Sequence, residues 1–245
     1  DPTRINVTIN GVPINDSESH GTFWVDMPDM ASSIDNIQVQ RGIGTSSNGA
    51  GAFGASLNIQ TNKLNEKPYA TLVNGYGSFN TWRHTIAGGS GLLGNHFSLD
   101  ARLSKISSDG YVDRAWSDLK SFYVSGAYQG RSTLLRLNIF SGLEETYQSW
   151  YGIPEDSLKT NRTYNPYTYD NEIDHYQQDH YQLILSQKLH QQWNLNVTGH
   201  YTRGRGYYEQ FREDDALADY GLEDVIIGSD TISTSAFIRG GWHAN

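Results

Sequence analysis

The chain has no cysteine, so no disulfide can staple it and no thiolate can hold a metal. It has no stretch approaching the roughly 18 apolar residues that a membrane-spanning helix requires. Positive charge is scarce: 18 Lys and Arg against 27 Asp and Glu leave a net charge of −9. A nucleic-acid binder needs a basic surface to meet phosphates, so that class drops out. Proline is confined to 6 positions. No basic, apolar leader opens the chain; Asp1-Pro2-Thr3-Arg4 runs straight into strand-like sequence, as expected of a mature or truncated start. The low overall hydropathy would suit a soluble domain, but it does not exclude a membrane barrel. Barrel strands alternate apolar and polar residues and average out as hydrophilic.

What the sequence has in quantity is aromatic residues (16 Tyr, 8 Phe, 6 Trp) and 25 glycines. Aromatics build the girdles of membrane barrels, and glycine serves turns and close backbone approaches. Two textures follow along the 245 residues. Up to about residue 66, three short strands are expected at 4–9, 37–40 and 57–61. Asn10-Gly11 is a turn signal after the first, and a helical turn near 30–37 precedes the second. A Gly/Ser/Ala-rich run at 42–54 precedes the third. Such a piece has too few apolar residues to stand alone and is expected to pack inside something larger.

From about Pro68 a period-two beat sets in. Phe97, Leu99, Ala101 and Leu103 share one face opposite Ser98, Asp100, Arg102 and Ser104. Trp193, Leu195, Val197, Gly199 and Tyr201 oppose Asn194, Asn196, Thr198 and His200. Alternation over 9–11 residues fits a tilted strand crossing an outer membrane. Short turns at 91–95, 129–132 and 189–192 alternate with long polar stretches at 107–118, 143–174 and 204–230. This predicts all short turns at one barrel end and all long loops at the other, an arrangement for which a soluble β-sandwich has less reason. About eight strands are expected in residues 68–245, whereas a plugged barrel has about 22, so the sequence reads as incomplete at both ends.

Three segments in order carry a resemblance. They are Ile9-Asn10-Gly11-Val12-Pro13-Ile14, then Ile37-Gln38-Val39-Gln40-Arg41-Gly42, then Gly49-Ala50-Gly51-Ala52-Phe53-Gly54-Ala55-Ser56-Leu57-Asn58-Ile59-Gln60-Thr61. Together they resemble the second half of the plug domain of TonB-dependent outer-membrane receptors, and Ser78-Phe79-Asn80-Thr81 is similar to that family's first barrel turn. The wording is most similar to iron-complex receptors of Bacteroidetes-type bacteria. The resemblance implies an all-β membrane β-barrel of antiparallel transmembrane strands with an N-terminal lumenal plug. Residues 1–66 would be plug and 67–245 barrel. It further implies TonB-dependent uptake of a scarce nutrient across the outer membrane, most often a ferric siderophore. The partners would be the TonB energy-transducing complex (through a TonB box absent from this chain), outer-membrane lipid and a small-molecule chelate. A passive porin or adhesin-type barrel, or a receptor for cobalamin, haem or glycan, stays open.

The site is expected in the segment that the resemblance makes the plug's apical loop. Asn15, Asp16, Ser17, Glu18, Ser19 and His20 offer donors and acceptors, while Phe23 and Trp24 offer stacking surface. Tyr147, Trp150 and Tyr151 on the long loop above would complete it, or else belong to the upper membrane girdle. Other motifs read as structural. Gly49-x-Gly51-x-x-Gly54 matches a dinucleotide fingerprint but precedes a strand where a helix is needed. His175 and Asp179 fall on the opposite strand face from Asp174 and His180, which splits any metal site. Asp16, Ser17, Ser19 and His20 lack a nucleophile elbow, so no catalytic role, metal or cofactor is expected.

Overall fold

A computed structural model of the chain describes residues 2–43, 53–61 and 64–244. The segment of the glycine motif that includes Gly49 and Gly51 lies outside the described residues; Gly54 is described, and β-strand follows it directly.

The first sheet comprises β1 (Ile5–Ile9), β2 (Val12–Pro13), β3 (Ile34–Arg41) and β4 (Ala55–Thr61) in the order β2-β1-β4-β3. β1 runs parallel to β4, pairing Val7 with Leu57 and Ile9 with Ile59. Asn10 and Gly11 both have positive φ, the requirement of the tight hairpin turn their pairing predicts. β3 begins at Ile34, three residues before the expected start, and the preceding turn is a 3-10 turn, Met30–Ser33.

The second sheet is an antiparallel meander. It contains β5 (Tyr69–Gly77), β6 (Thr81–Gly89), β7 (Phe97–Ser108), β8 (Ser117–Gln129), β9 (Thr133–Tyr147), β10 (Ile173–His190) and β11 (Trp193–Ala216). A small hairpin, β12 (Val225–Ile227) with β13 (Asp230–Ile232), precedes the edge strand β14 (Thr234–Ala244), which closes on β11. Along β7 the beat is unbroken: Phe97, Leu99 and Leu103 are exposed, while Ser98, Asp100, Arg102 and Ser104 are buried. The apolar row therefore faces outward, where a bilayer would cover it, and the polar row faces the first sheet.

Two expectations need correction. The strands outrun their expected ends: β9 continues to Tyr147 and β11 to Ala216, so connections expected at 143–174 and 204–230 shrink to 148–172 and 217–233. Strand content continues there because neighbours supply a ladder even where the polar pattern suggests a loop; Glu144 pairs with Tyr176, and Phe211 with Ile238. The alternation of short and long connections also has an exception. The turn at 78–80 is short yet sits at the long-loop end, where the Phe79 carbonyl accepts from Asp109 N–H and the Phe79 ring meets Tyr111. At the opposite end the short turns are tied side by side, Gln129 N–H donating to the His96 carbonyl and Lys188 N–H to that of Ser132.

The first sheet packs on the polar face of the second. Val7, Ile9, Met27, Met30 and Ile59 form a small core that is completed by Tyr123 and Phe140 from the barrel wall. The Tyr123 hydroxyl donates to Thr61 Oγ1 at 2.9 Å, and Asn10 Nδ2 donates to Gln182 Oε1 at 3.0 Å, so polar contacts continue the seam.

Candidate functional site

The loop at 15–24 owes its shape to its first two residues. Asn15 accepts from Val7 N–H at 2.8 Å and donates to the carbonyls of Ile5 (2.8 Å) and His20 (3.0 Å), pinning both ends of the loop. Asp16 Oδ1 accepts from the N–H groups of Glu18 and Ser19, an Asx-type turn that lets His20 take positive φ. Burial acts to raise the Asp16 carboxyl, but the Ser19 and Glu18 hydrogen bonds and nearby His20 hold it below the ordinary 3.8.

Beneath the loop, the 3-10 turn Trp24–Asp26 brings a buried carboxyl against the barrel wall. The wall is built by register. Tyr176 on β10 stands opposite Glu144 on β9, and Asp174 stands opposite Tyr208 on β11. Inward-facing residues of three strands therefore meet on one patch. Tyr176 has room because Gly204 and Gly206 lie beneath its ring; a Cβ at either position would strike it. Trp150 leans in from the loop above with its ring edge-on to Tyr208, centroids 5.8 Å apart. Between loop and wall is a cavity of about 530 Å³, lined among others by Asp16, Glu18, Ser19, Phe23, Asp26, Glu144, Trp150, Asp174, Tyr176, Gln178 and Tyr208. That volume suits a small-molecule ligand, and the mix of aromatic faces with a few convergent polar groups is usual for such sites.

The structure sorts the expected residues. Asp16, Glu18, Ser19, Phe23 and Trp150 line the cavity. Ser17, His20 and Trp24 are exposed beside it and do not line it. Asn15 is a strut. Tyr147 is buried, its hydroxyl donating to the Tyr169 carbonyl at 2.8 Å, and Tyr151 stacks face to face on Tyr167 at 4.9 Å. Both are spent on ordering the 148–172 loop, whose carbonyls Arg114 also grips at Asn165 and Tyr167. Sequence reasoning missed Asp26, Glu144, Asp174, Tyr176, Gln178 and Tyr208. The alternate positions 174, 176 and 178, opposite Tyr208, Gly206 and Gly204, were the available signal. His175 and Asp179 face away from the cavity, towards Glu145 and Arg205, and no cluster of metal-ligating side chains occurs among the described residues.

Burial pushes the Asp26 carboxyl up to about 7 from 3.8; a hydrogen bond with Glu144 opposes the rise, and the charges of Asp174 and Asp16 add to it. Folded protein thus keeps a proton on Asp26 that the unfolded chain releases near its ordinary 3.8. This contribution is present at low pH and is lost as pH rises through about 7. Hydrogen exchange at Met27, whose N–H donates to the Trp24 carbonyl, should accelerate across that range relative to an Asp26→Asn variant. A constant ratio between the two proteins from pH 5 to 9 would remove Asp26 as the titrating group.

No family model and no curated protein matches the chain in sequence. Solved structures do match in fold. The ferric-catecholate import receptor Fiu from E. coli K12, in its open form, superposes with a TM-score of 0.68 at 15% identity, covering 97% of this chain and 37% of that one. The siderophore receptor PiuA from Acinetobacter baumannii gives 0.69 at 16% identity, over 90% of this chain and 32% of that one. The alcaligin outer membrane receptor FauA from Bordetella pertussis gives 0.63 at 15%, over 84% and 33%. The chain therefore spans about a third of the length of the structures it matches, and it shares the fold of the part it covers.

Proposed function

We propose that this chain belongs to a TonB-dependent receptor of the iron-complex type, which captures a ferric siderophore or similar chelate and takes it across the outer membrane of a Gram-negative bacterium. The observation that carries this reading is the cavity at the long-loop end, held between an ordered loop of the lumenal sheet and the barrel wall, above a lumen that the same sheet occupies. A passive porin would leave that lumen open and would have no use for the buried contacts that seat the sheet. In this reading residues 1–66 are plug and 67–245 barrel, lipid covers the outward apolar rows, and the TonB complex supplies the work that moves the plug. Binding and rearrangement suffice, with no covalent step. The Bacteroidetes-type wording of the plug segment and the iron-complex assignment rest on sequence resemblance.

The test uses the full-length receptor in detergent. Trp150→Ala and Tyr208→Ala should each weaken equilibrium binding of a ferric chelate by about 1–3 kcal/mol, because each removes an aromatic face from the cavity. Tyr151→Ala, which alters a ring outside the cavity, should leave affinity nearly unchanged. Unaltered binding in both cavity variants would move the site elsewhere. Free permeation of sugars through the unaltered receptor in liposomes would favour the porin.

A further inference from the structure

The charge of the cavity narrows the class of chelate, given the receptor reading above. Five of its lining residues are Asp16, Glu18, Asp26, Glu144 and Asp174, and none is Lys, Arg or His. Three arginines at this end are engaged elsewhere. Arg114 holds loop carbonyls, Arg205 pairs with Asp179 on the outer wall, and Arg212 bonds Gln210 and lies over the Tyr151 ring. The same end of the sheet is acidic as well: residues 213–233, the last residues of strand β11 and the β11–β14 connection, hold seven Asp and Glu and no Lys, Arg or His. A polyanionic cargo such as a ferric tris-catecholate would meet like charge at this end and again at Asp16, Glu18 and Asp174 in the cavity, while burial leaves a proton on Asp26 beside Glu144. A cation would be steered inward, and the faces of Trp150, Tyr176, Tyr208 and Phe23 favour a cation over an anion.

We propose that the cargo is a ferric chelate bearing a positively charged arm, a primary ammonium or guanidinium, which enters the cavity between the aromatic walls and is met there by Asp174, Asp16 and Glu18, with the Asp26–Glu144 pair beside it. A ferric tris-hydroxamate core is neutral, so one ammonium makes the complex a cation. Iron stays in its own ligand shell, and the carboxylates bind the arm.

The probe series is one ferric tris-hydroxamate with its arm as free amine, as N-acetyl (neutral) and as N-succinyl (anionic), with ferric tris-catecholate and ferric citrate alongside. Equilibrium dialysis of iron-labelled complexes against full-length receptor should give the amine at least ten-fold tighter binding than the succinyl form at low salt. The gap should shrink with added salt and in a Glu144→Gln, Asp174→Asn variant whose barrel assembly is confirmed by heat-modifiable gel migration. Equal or tighter binding of the succinyl form overturns the proposal, and the unaltered receptor alone decides that. Binding of the tris-catecholate or citrate complex without the amine form also overturns it and leaves the receptor reading standing. Displacement of the amine probe by micromolar calcium would replace the arm with a divalent cation. Failure of every ferric complex to bind would sink both readings.

Discussion

Replacing Asp29 by Ala should loosen the lumenal sheet from the barrel wall by about 3–5 kcal/mol, the range for stripping one partner from a buried ion pair. The Asp29 side chain is only 3% exposed, and both of its carboxylate oxygens are committed. Oδ2 accepts from Ser104 Oγ at 2.5 Å and Thr85 Oγ1 at 2.7 Å, and Oδ1 accepts from Ser32 Oγ at 2.9 Å. Arg83 reaches Oδ1 at 2.7 Å, and Arg102 lies 3.5 Å from Oδ2. Arg102 is itself only 3% exposed and donates Nε to Ser33 Oγ. Alanine would leave that guanidinium buried without its counter-charge, which dominates the loss; Arg83, at 40% exposure, can turn to water. Burial acts to raise the Asp29 carboxyl, but the Ser104, Thr85 and Ser32 hydrogen bonds and the Arg83 charge bring it below 3.8. Its contribution is therefore present at neutral pH and lost only as pH falls below that value, opposite in sense to Asp26. Planar-bilayer conductance of the full-length receptor in rising urea would report release as a shift of the opening midpoint to lower urea. An Asp29→Leu, Arg102→Met double variant should recover most of the loss, since no buried charge is then left unpaired and Arg83 can turn to water. An unchanged midpoint in Asp29→Ala would mean that this seam does not hold the plug.

The outward rows were legible in the sequence because lipid and lumen impose opposite polarities on successive residues. Phe97, Leu99, Leu103, Leu183 and Val197 stand outside as their alternation required. Tyr123 and Phe140 were not legible as core. Both occupy inward positions that the pattern assigns to polar side chains, and only the apposed sheet, with Ile59 and Met30, makes those positions apolar. The site was half legible for the same reason. Polar loop residues such as Asp16 and Glu18 announce themselves by composition. Glu144 and Asp174 lie 30 positions apart on different strands and meet only through register. Aromatic density over 144–169 pointed at a ligand, but Tyr147, at the end of β9, and Tyr167 are buried and give the long loop an interior of its own, while Trp150, Tyr151 and Tyr164 stay exposed. Gln148 and Asn165, fully enclosed and bonded to backbone, do the same work with no hydrophobic signal at all.

Gly142 carries the second large effect, and there local propensity and tertiary structure make opposite forecasts. It sits in mid-strand on β9, where valine is the better β former, so local propensity alone forecasts Gly142→Val as stabilising. The inward face of β9 at this point is pressed against main chain. A Cβ would overlap the Asp26 carbonyl oxygen and come within 2.7 Å of both the Asp26 carbonyl carbon and Pro28 Cδ. No rotamer relieves a clash with backbone, so the 26–28 segment must lift. Lifting breaks the bond from Ser121 Oγ to the Pro28 carbonyl (2.6 Å), parts Asp26 from Glu144 and draws Met27 out of the core. Overpacking of about 1–3 kcal/mol and a lost hydrogen bond of about 1 kcal/mol give an expected destabilisation of roughly 2–4 kcal/mol. The matched control is Gly126→Val on the outward face of β8, where an added Cβ meets nothing within 4 Å. Gly142→Val should shift the urea midpoint of pore opening down and weaken chelate binding, because Asp26 forms part of the cavity floor. Gly126→Val should do neither, and identical behaviour of the two variants would show that the plug does not approach the wall this closely.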